Sequence, residues 1–305
     1  QRQMCIRDRN RSEVLVELEQ AYWQCVRVQE LLVVAQKYKS VVNELVKNLE
    51  DARQAGMAPL NDVLKAQVKY NEALLQLQQA EHGRRLAQMN LCRLVGLDLD
   101  TELLLTDSLS ATVAPGVLAL PDELEQRPDY NMLERQIEMK RQEVNVTRSD
   151  FLPQVGVSAG YGYGGGLKLN GDDSNAGSFS AMASVEIPIF NWGEGRNKIR
   201  VAKAEEEMSR LNKERLGEMM RLEITRNRFK LNDAQTRIRL TESALKQAEE
   251  NLRVSQDQYE VGMENLTDLL EAQAQWQQAW SDWIDAKATL KLSESEYLKA
   301  IGRLD

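Results

Sequence analysis

Apolar residues between Ser12 and Ala55 recur at helical spacing, as Val14, Leu15, Leu18, Tyr22, Val26, Val28 and Leu32. This pattern predicts one long amphipathic helix. Gly56 interrupts it, and Pro59 suits the first turn of a second helix, which the pattern carries to about Val95 before Gly96 ends it. Residues 97–126 lose the helical period and read as a loop-rich connector with one short strand. The period resumes at "RPDY" (127–130), where Pro128 fits a first helical turn and Asp129 complements the positive end of the helix dipole. That helix is expected to end near Asp150. The last part of the chain is helical from about Gly195 to Glu260, on the order of 100 Å at the usual rise. A turn at Gly262 then leads into a final helix.

Between these helices the period changes to two. In 154–163, Val155, Val157, Ala159, Tyr161 and Tyr163 alternate with Gln154, Gly156, Ser158, Gly160 and Gly162. In 178–189, Phe179, Ala181, Ala183, Val185, Ile187 and Ile189 alternate with Ser178, Ser180, Met182, Ser184, Glu186 and Pro188. Strands apolar on one face and small or polar on the other suit a transmembrane barrel, or equally a hairpin lying on helices. The glycine-rich stretch 164–177 reads as a polar surface loop. Its neighbourhood matches G-x-G-x-x-G at Gly160, Gly162 and Gly165, but strand and loop come next instead of the helix that a phosphate site requires.

The chain also repeats itself. "AGMAPLNDVLKAQ" (55–67) and "VGMENLTDLLEAQ" (261–273) are related by an offset of 206 residues, and 56–96 against 262–302 gives 11 identities in 41 positions. Tyr70, Leu74 and Leu77 correspond to Trp276, Trp280 and Trp283. Tryptophans at that spacing share one helical face, so helix packing explains them better than a cofactor cage. The same offset places the start of the first descending helix before the chain begins. A leading helix and a first β-hairpin are therefore expected upstream, making the chain a fragment of a longer duplicated protein. Residues 1–11 ("QRQMCIRDRNR") do not continue the helical pattern and lack the apolar centre of a signal peptide. They are left unassigned, with a non-native origin as one explanation.

Composition narrows the function. A net charge of −8 with no basic, aromatic-interleaved patch argues against nucleic-acid binding. Cys5, Cys25 and Cys92 are scattered and fit neither a disulfide framework nor a zinc site; the lone histidine, His82, lies in a polar helical run. No nucleophile, metal cluster or phosphate loop is evident, so neither an enzyme nor a cofactor is expected. No apolar run is long enough for a transmembrane helix.

"RPDY" (127–130), "DFLPQVGVSAGYGYG" (150–164), "VEIPIFNWGEGRNKIRVAKAE" (185–205) and the doubled turn together resemble the TolC family of outer-membrane efflux and secretion channels. The resemblance implies a mainly α fold with a small β part. Long antiparallel helical hairpins would form an α-barrel protomer with one transmembrane β-hairpin, in a duplicated arrangement. The expected organisation is a first-repeat helical hairpin (12–96), an equatorial connector (97–126), an ascending helix (127–150), an outer-membrane β-hairpin (151–192) and a second-repeat helical hairpin (193–305). It implies a homotrimer in the outer membrane of a Gram-negative bacterium, largely periplasmic and in contact with lipid. The duct would be opened by a periplasmic adaptor (membrane fusion) protein coupled to an inner-membrane pump of the RND or ABC type.

By the same resemblance, Ala55, Gly56, Met57, Val261, Gly262 and Met263 are expected to form adaptor-docking tips. Asp268 and Glu271 would line a pore constriction, a ring that attracts cations. The first repeat offers Asp62 but has Lys65 where the second has Glu271, which puts the selective ring on the second repeat. A coiled-coil scaffold or periplasmic adaptor is the alternative, although an adaptor's run of several short strands is not evident.

Overall fold

The computed structural model describes all but residues 1, 110, 111, 114, 115, 118, 119, 121, 122, 170, 171, 191 and 305, with the side chains of 2, 5, 164–169 and 172–176 also outside the description. Five helices and one hairpin succeed one another: α1 (Arg2–Gln54), α2 (Leu60–Val95), α3 (Pro128–Ser149), β1 (Gln154–Leu169), β2 (Asp172–Glu186), α4 (Glu194–Glu260) and α5 (Leu266–Ala300). Contacts divide the chain into two compact units. One contains Tyr130–Gly217, and the other Gln3–Asp129 with Glu218–Asp305.

In the unit around the hairpin, α3 and the first part of α4 are tied by exposed polar pairs. Lys140 reaches Glu143 of its own helix (2.7 Å) and Glu205 of α4 (3.0 Å). Lys213 of α4 bonds Glu134 (2.7 Å) and sits 4.7 Å from the centre of the Tyr130 ring. The strands pair antiparallel, with Val155 opposite Val185, Tyr161 opposite Phe179 and Gln154 opposite Glu186. This register gathers the apolar residues on one face and Gln154, Gly156, Ser158, Ser184 and Ser180 on the other.

Two boundaries differ from expectation. The strands run on through much of the stretch read as a loop, with a register irregularity between Gly164 and Leu167. Glycines without a competing helical period can extend a ladder they do not specify. At the other end β2 stops at Glu186 rather than continuing to Ile189, because Pro188 has no N–H to give the ladder.

In the second unit the core is built between helices. Tyr38, Val42 and Leu49 of α1, Ala66 and Ala73 of α2, Leu252 of α4 and Trp276 of α5 belong to one buried cluster. Trp280 and Trp283 pack against it half-buried, as the helical-face reading of the tryptophans expects, and Trp276 and Trp280 lie 5.3 Å apart between ring centres. Polar ties cross the same packing. Arg27 bonds Asp285 (2.6 Å), and the Lys287 ammonium, 4.0 Å from the Trp283 ring centre, reaches Glu30 (2.8 Å). Glu30 also accepts the Leu109 N–H (3.0 Å). The Tyr22 hydroxyl donates to Asp107 (2.5 Å). That hydrogen bond, then burial and the neighbouring charge, push the Tyr22 pKa up to about 12. These bonds hold part of the connector on α1.

Residues 2–11 are helical and continuous with α1, against the expectation that leaves them unassigned. They are mostly exposed and so carry no apolar stripe, the one signal that a periodicity search detects. A helix already nucleated propagates one bond per residue, here with support from Arg9–Glu13 (2.9 Å) and from the Ser12 hydroxyl to the Asp8 carbonyl (3.1 Å). Val14 is exposed while Val16 is buried, so the inward face is rotated from the one that the apolar spacing picks out. The connector contains no strand among its described residues; it includes the 3-10 turn Leu124–Gln126.

Candidate docking tips and acidic cluster

Both helical turns close in the same way. After α1 the Met57 N–H bonds the Ala52 carbonyl (2.8 Å) and the Gly56 N–H bonds Arg53 (2.9 Å). After α4 Met263 bonds Gln258 (2.8 Å) and Gly262 bonds Tyr259 (3.0 Å). This six-to-one and nested pairing is the Schellman arrangement, which needs a left-handed residue at its centre. Gly56 and Gly262 supply it, with φ of +78° and +75°. Beside them Met57 is 80% and Met263 81% exposed, and Ala55 and Val261 are exposed as well. The two turns thus offer the same backbone shape and the same soft apolar side chain.

The helix starts beyond the two turns differ. Pro59 precedes α2 without a side-chain cap. Before α5, Asn265 accepts the Asp268 N–H (3.1 Å), and its amide donates to the Asp268 carboxylate (2.6 Å). Asn265 therefore caps α5 at the Asp268 N–H, and the Asp268 carboxylate accepts from the same Asn265 side chain. Sequence reasoning missed this role, although the N-x-x-D spacing of "NLTD" (265–268) carries the signal.

The three acids expected at a constriction share one end of this unit, each with a local partner. Asp62 lies 3.7 Å from Lys65, Asp268 is held by Asn265, and Glu271 accepts the Gln275 amide (3.2 Å). Asp268 and Glu271 are exposed, on the side of α5 opposite buried Leu269 and Leu270. Tyr259 links the repeats: burial first, and then the charge of Asp62, raise its pKa. Glu271 also lines a cleft of about 500 Å³ with Lys65, Val68, Lys69, Thr267, Leu270 and Ala274, so the divergent pair Lys65 and Glu271 opens onto one space.

Among the described residues no group of three or more His, Cys, Asp or Glu could hold a metal ion, and no helix is long and apolar enough to cross a membrane.

A family model described as outer membrane efflux protein matches residues 119–303. The chain belongs to the outer membrane efflux protein family. Within it, the chain is 24% identical over 306 residues to protein CyaE of Bordetella pertussis, covering 95% of this chain and 62% of that protein. It is 30% identical over 173 residues to the solvent efflux pump outer membrane protein SrpC of Pseudomonas putida, covering 54% of this chain and 36% of that protein. Among solved structures, the outer-membrane channel OprN superposes with a TM-score of 0.80 at 19% identity, over 98% of this chain and 68% of that one. VceC of Vibrio cholerae gives 0.78 at 21%, over 98% and 72%. The mainly helical fold is thus shared with these outer-membrane channels. The chain spans less than two thirds of the length of these two curated relatives.

Proposed function

We propose that the full-length protein is a homotrimeric, passive exit duct of the outer membrane, serving efflux or type I secretion. One observation carries this reading: a two-stranded sheet whose apolar face has no cover. Val155, Val157, Tyr161, Phe179 and Val185 are each at least 64% exposed. Two strands leave open edges that hydrocarbon does not tolerate, and hairpins pooled from three copies into a closed barrel satisfy every edge while giving the apolar face to lipid. Membership of the outer membrane efflux family supports the same placement.

The twin turns then become docking tips for a periplasmic adaptor, which joins the duct to an inner-membrane pump of the RND or ABC type. Met57 and Met263 are the adaptable contacts. In the full-length protein, Met263→Glu combined with Met57→Glu is expected to lower adaptor cross-linking at least about tenfold, equivalent to about 1.4 kcal/mol, while trimers persist on native gels. Cross-linking at the unmodified level would remove the tips from the docking surface.

Asp268 and Glu271, with Asp62 behind them, would ring the periplasmic constriction and favour cations. Asn265 caps α5, and Asp268→Asn keeps a side-chain oxygen to accept its amide, so Asp268→Asn with Glu271→Gln tests charge without disturbing the cap. Planar-bilayer recordings should show cation preference falling toward unity; unchanged selectivity would place the filter elsewhere.

A further inference from the structure

Below the sheet, β2 leads into α4 through a short segment with an unusual backbone. Trp192 has φ +46° and is the one non-glycine residue with positive φ among those described; Gly193 comes next at +78°. A bulky side chain is rarely held in that region without a functional reason. Here the turn holds the indole out at 89% exposure, edge-on to Phe190 with ring centres 5.0 Å apart, beside Ile189 at 93%. Ile187 and Ile189 extend the alternation of the apolar sheet face into this segment. Phe151 is seated beneath: a Cβ at Gly195 would lie 2.8 Å from its ring, so only glycine lets the first turn of α4 come this close.

Basic residues occupy the two helix ends next to the hairpin. Arg148 at the end of α3, with Arg196 and Arg200 in the first turns of α4, is exposed, and none of the three guanidinium groups makes a hydrogen bond or ion pair among the described residues. Lys198 is taken up by Glu194 (2.6 Å). Glu186 belongs to the polar face of the sheet, leaving Asp150 as the nearby acid against three free guanidinium groups.

We infer that Phe190, Trp192, Arg148, Arg196 and Arg200 form a membrane-interface anchor, with the arginines binding phospholipid phosphates of the leaflet nearest the helices. This rests on the proposed placement of the hairpin in the membrane and adds the surface that fixes its depth. Indole prefers the headgroup boundary, and guanidinium matches phosphate with paired hydrogen bonds. Tyr161, Tyr163 and Phe179 are the aromatics at the other end of the apolar face. About 26 Å of strand separates Val155 from Tyr163, which at a barrel tilt of about 40° spans about 20 Å of an apolar band about 25 Å tall.

The test uses the full-length protein in phosphatidylethanolamine–phosphatidylglycerol vesicles containing lipids brominated either near the headgroup or deep in the acyl chain. The Trp192 signal is the difference between parent and Trp192→Phe, and Phe179→Trp in the Trp192→Phe background reports the strand. Trp192 should be quenched by the shallow bromines and not by the deep ones. Changing Arg148, Arg196 and Arg200 to Gln should lower its ratio of quenched to unquenched signal on the order of fivefold per arginine, with the strand reporter unchanged. If the strand reporter is quenched and Trp192 is not, the anchor is overturned while the membrane placement stands; if neither is quenched, the placement itself fails. An unaltered ratio in the arginine variants overturns phosphate binding. Loss of the arginine effect on adding inorganic phosphate would mean a free-anion site, which also overturns it.

Discussion

Arg127→Met is expected to destabilise the protein by about 1–3 kcal/mol, the usual loss when one member of a hydrogen-bonded network is removed and its partners are left short of a donor. The Arg127 side chain is 9% exposed and uses four donors. Two reach Asp129 (3.0 and 2.8 Å), one Glu223 of α4 (2.9 Å) and one the carbonyl of Ala300, the last residue of α5 (2.9 Å). Burial opposes the charge of this guanidinium, but the hydrogen bonds and charges of Asp129 and Glu223 outweigh it and raise its pKa. The charge also meets the negative end of α5, whose terminal carbonyls have no partner within the helix. Methionine would fill much of the volume but remove the donors that reach Asp129, Glu223 and the Ala300 carbonyl. Chemical denaturation monitored by circular dichroism measures the loss. Arg127→Lys should lie between parent and Met, since an ammonium cannot reproduce the fork. Arg127→Met with Asp129→Asn and Glu223→Gln should recover most of the stability, because the cost comes from partners left short of a donor. A triple variant as unstable as the single one would refute that account.

Sequence alone assigns Asp129 to the helix dipole and Pro128 to the first turn, and gives Arg127 no role. That limit is physical. The helical pattern, the glycine stops and the period-two strands are set by neighbours within a few residues, so Gly56, Gly96 and the alternation from Val155 to Tyr163 can be read directly. Arg127 acquires its meaning from Glu223 and Ala300, 96 and 173 positions away. The Asn265–Asp268 cap is local and legible, but a pore role for Asp268 hides it. Residues 2–11 escape for the opposite reason: an exposed helix has no inward face to leave a period. The identity of the tips comes from self-comparison at an offset of 206, which needs no structure. Whether their acids face a pore depends on other copies, and one chain does not encode that in its own contacts.

Gly302→Ala is expected to be the second large loss, and the duplication provides its control. Gly96 and Gly302 occupy equivalent repeat positions, and both are left-handed, with φ of +81° and +73°. Alanine at Gly96 would meet nothing within 4 Å, so Gly96→Ala should cost only the left-handed strain, about 1–2 kcal/mol. At Gly302 the added Cβ would lie 2.7 Å from the carbonyl carbon and oxygen of Gln126 and 2.9 Å from the Arg127 nitrogen. Those are backbone atoms, leaving no flexible side chain to move aside, so an overpacking cost of about 1–3 kcal/mol adds to the strain. The turn after α5, closed by the Gly302 N–H to Lys299 (3.0 Å) and the Arg303 N–H to Leu298 (2.9 Å), therefore presses on the residues that position the Arg127 fork. Gly302→Ala and Arg127→Met should consequently fall short of additivity by at least about 0.5 kcal/mol, while Gly96→Ala and Arg127→Met should add. Equal losses for the two glycine variants in the same denaturation assay would show that backbone conformation alone fixes both positions, and that the seat at Gln126 contributes nothing.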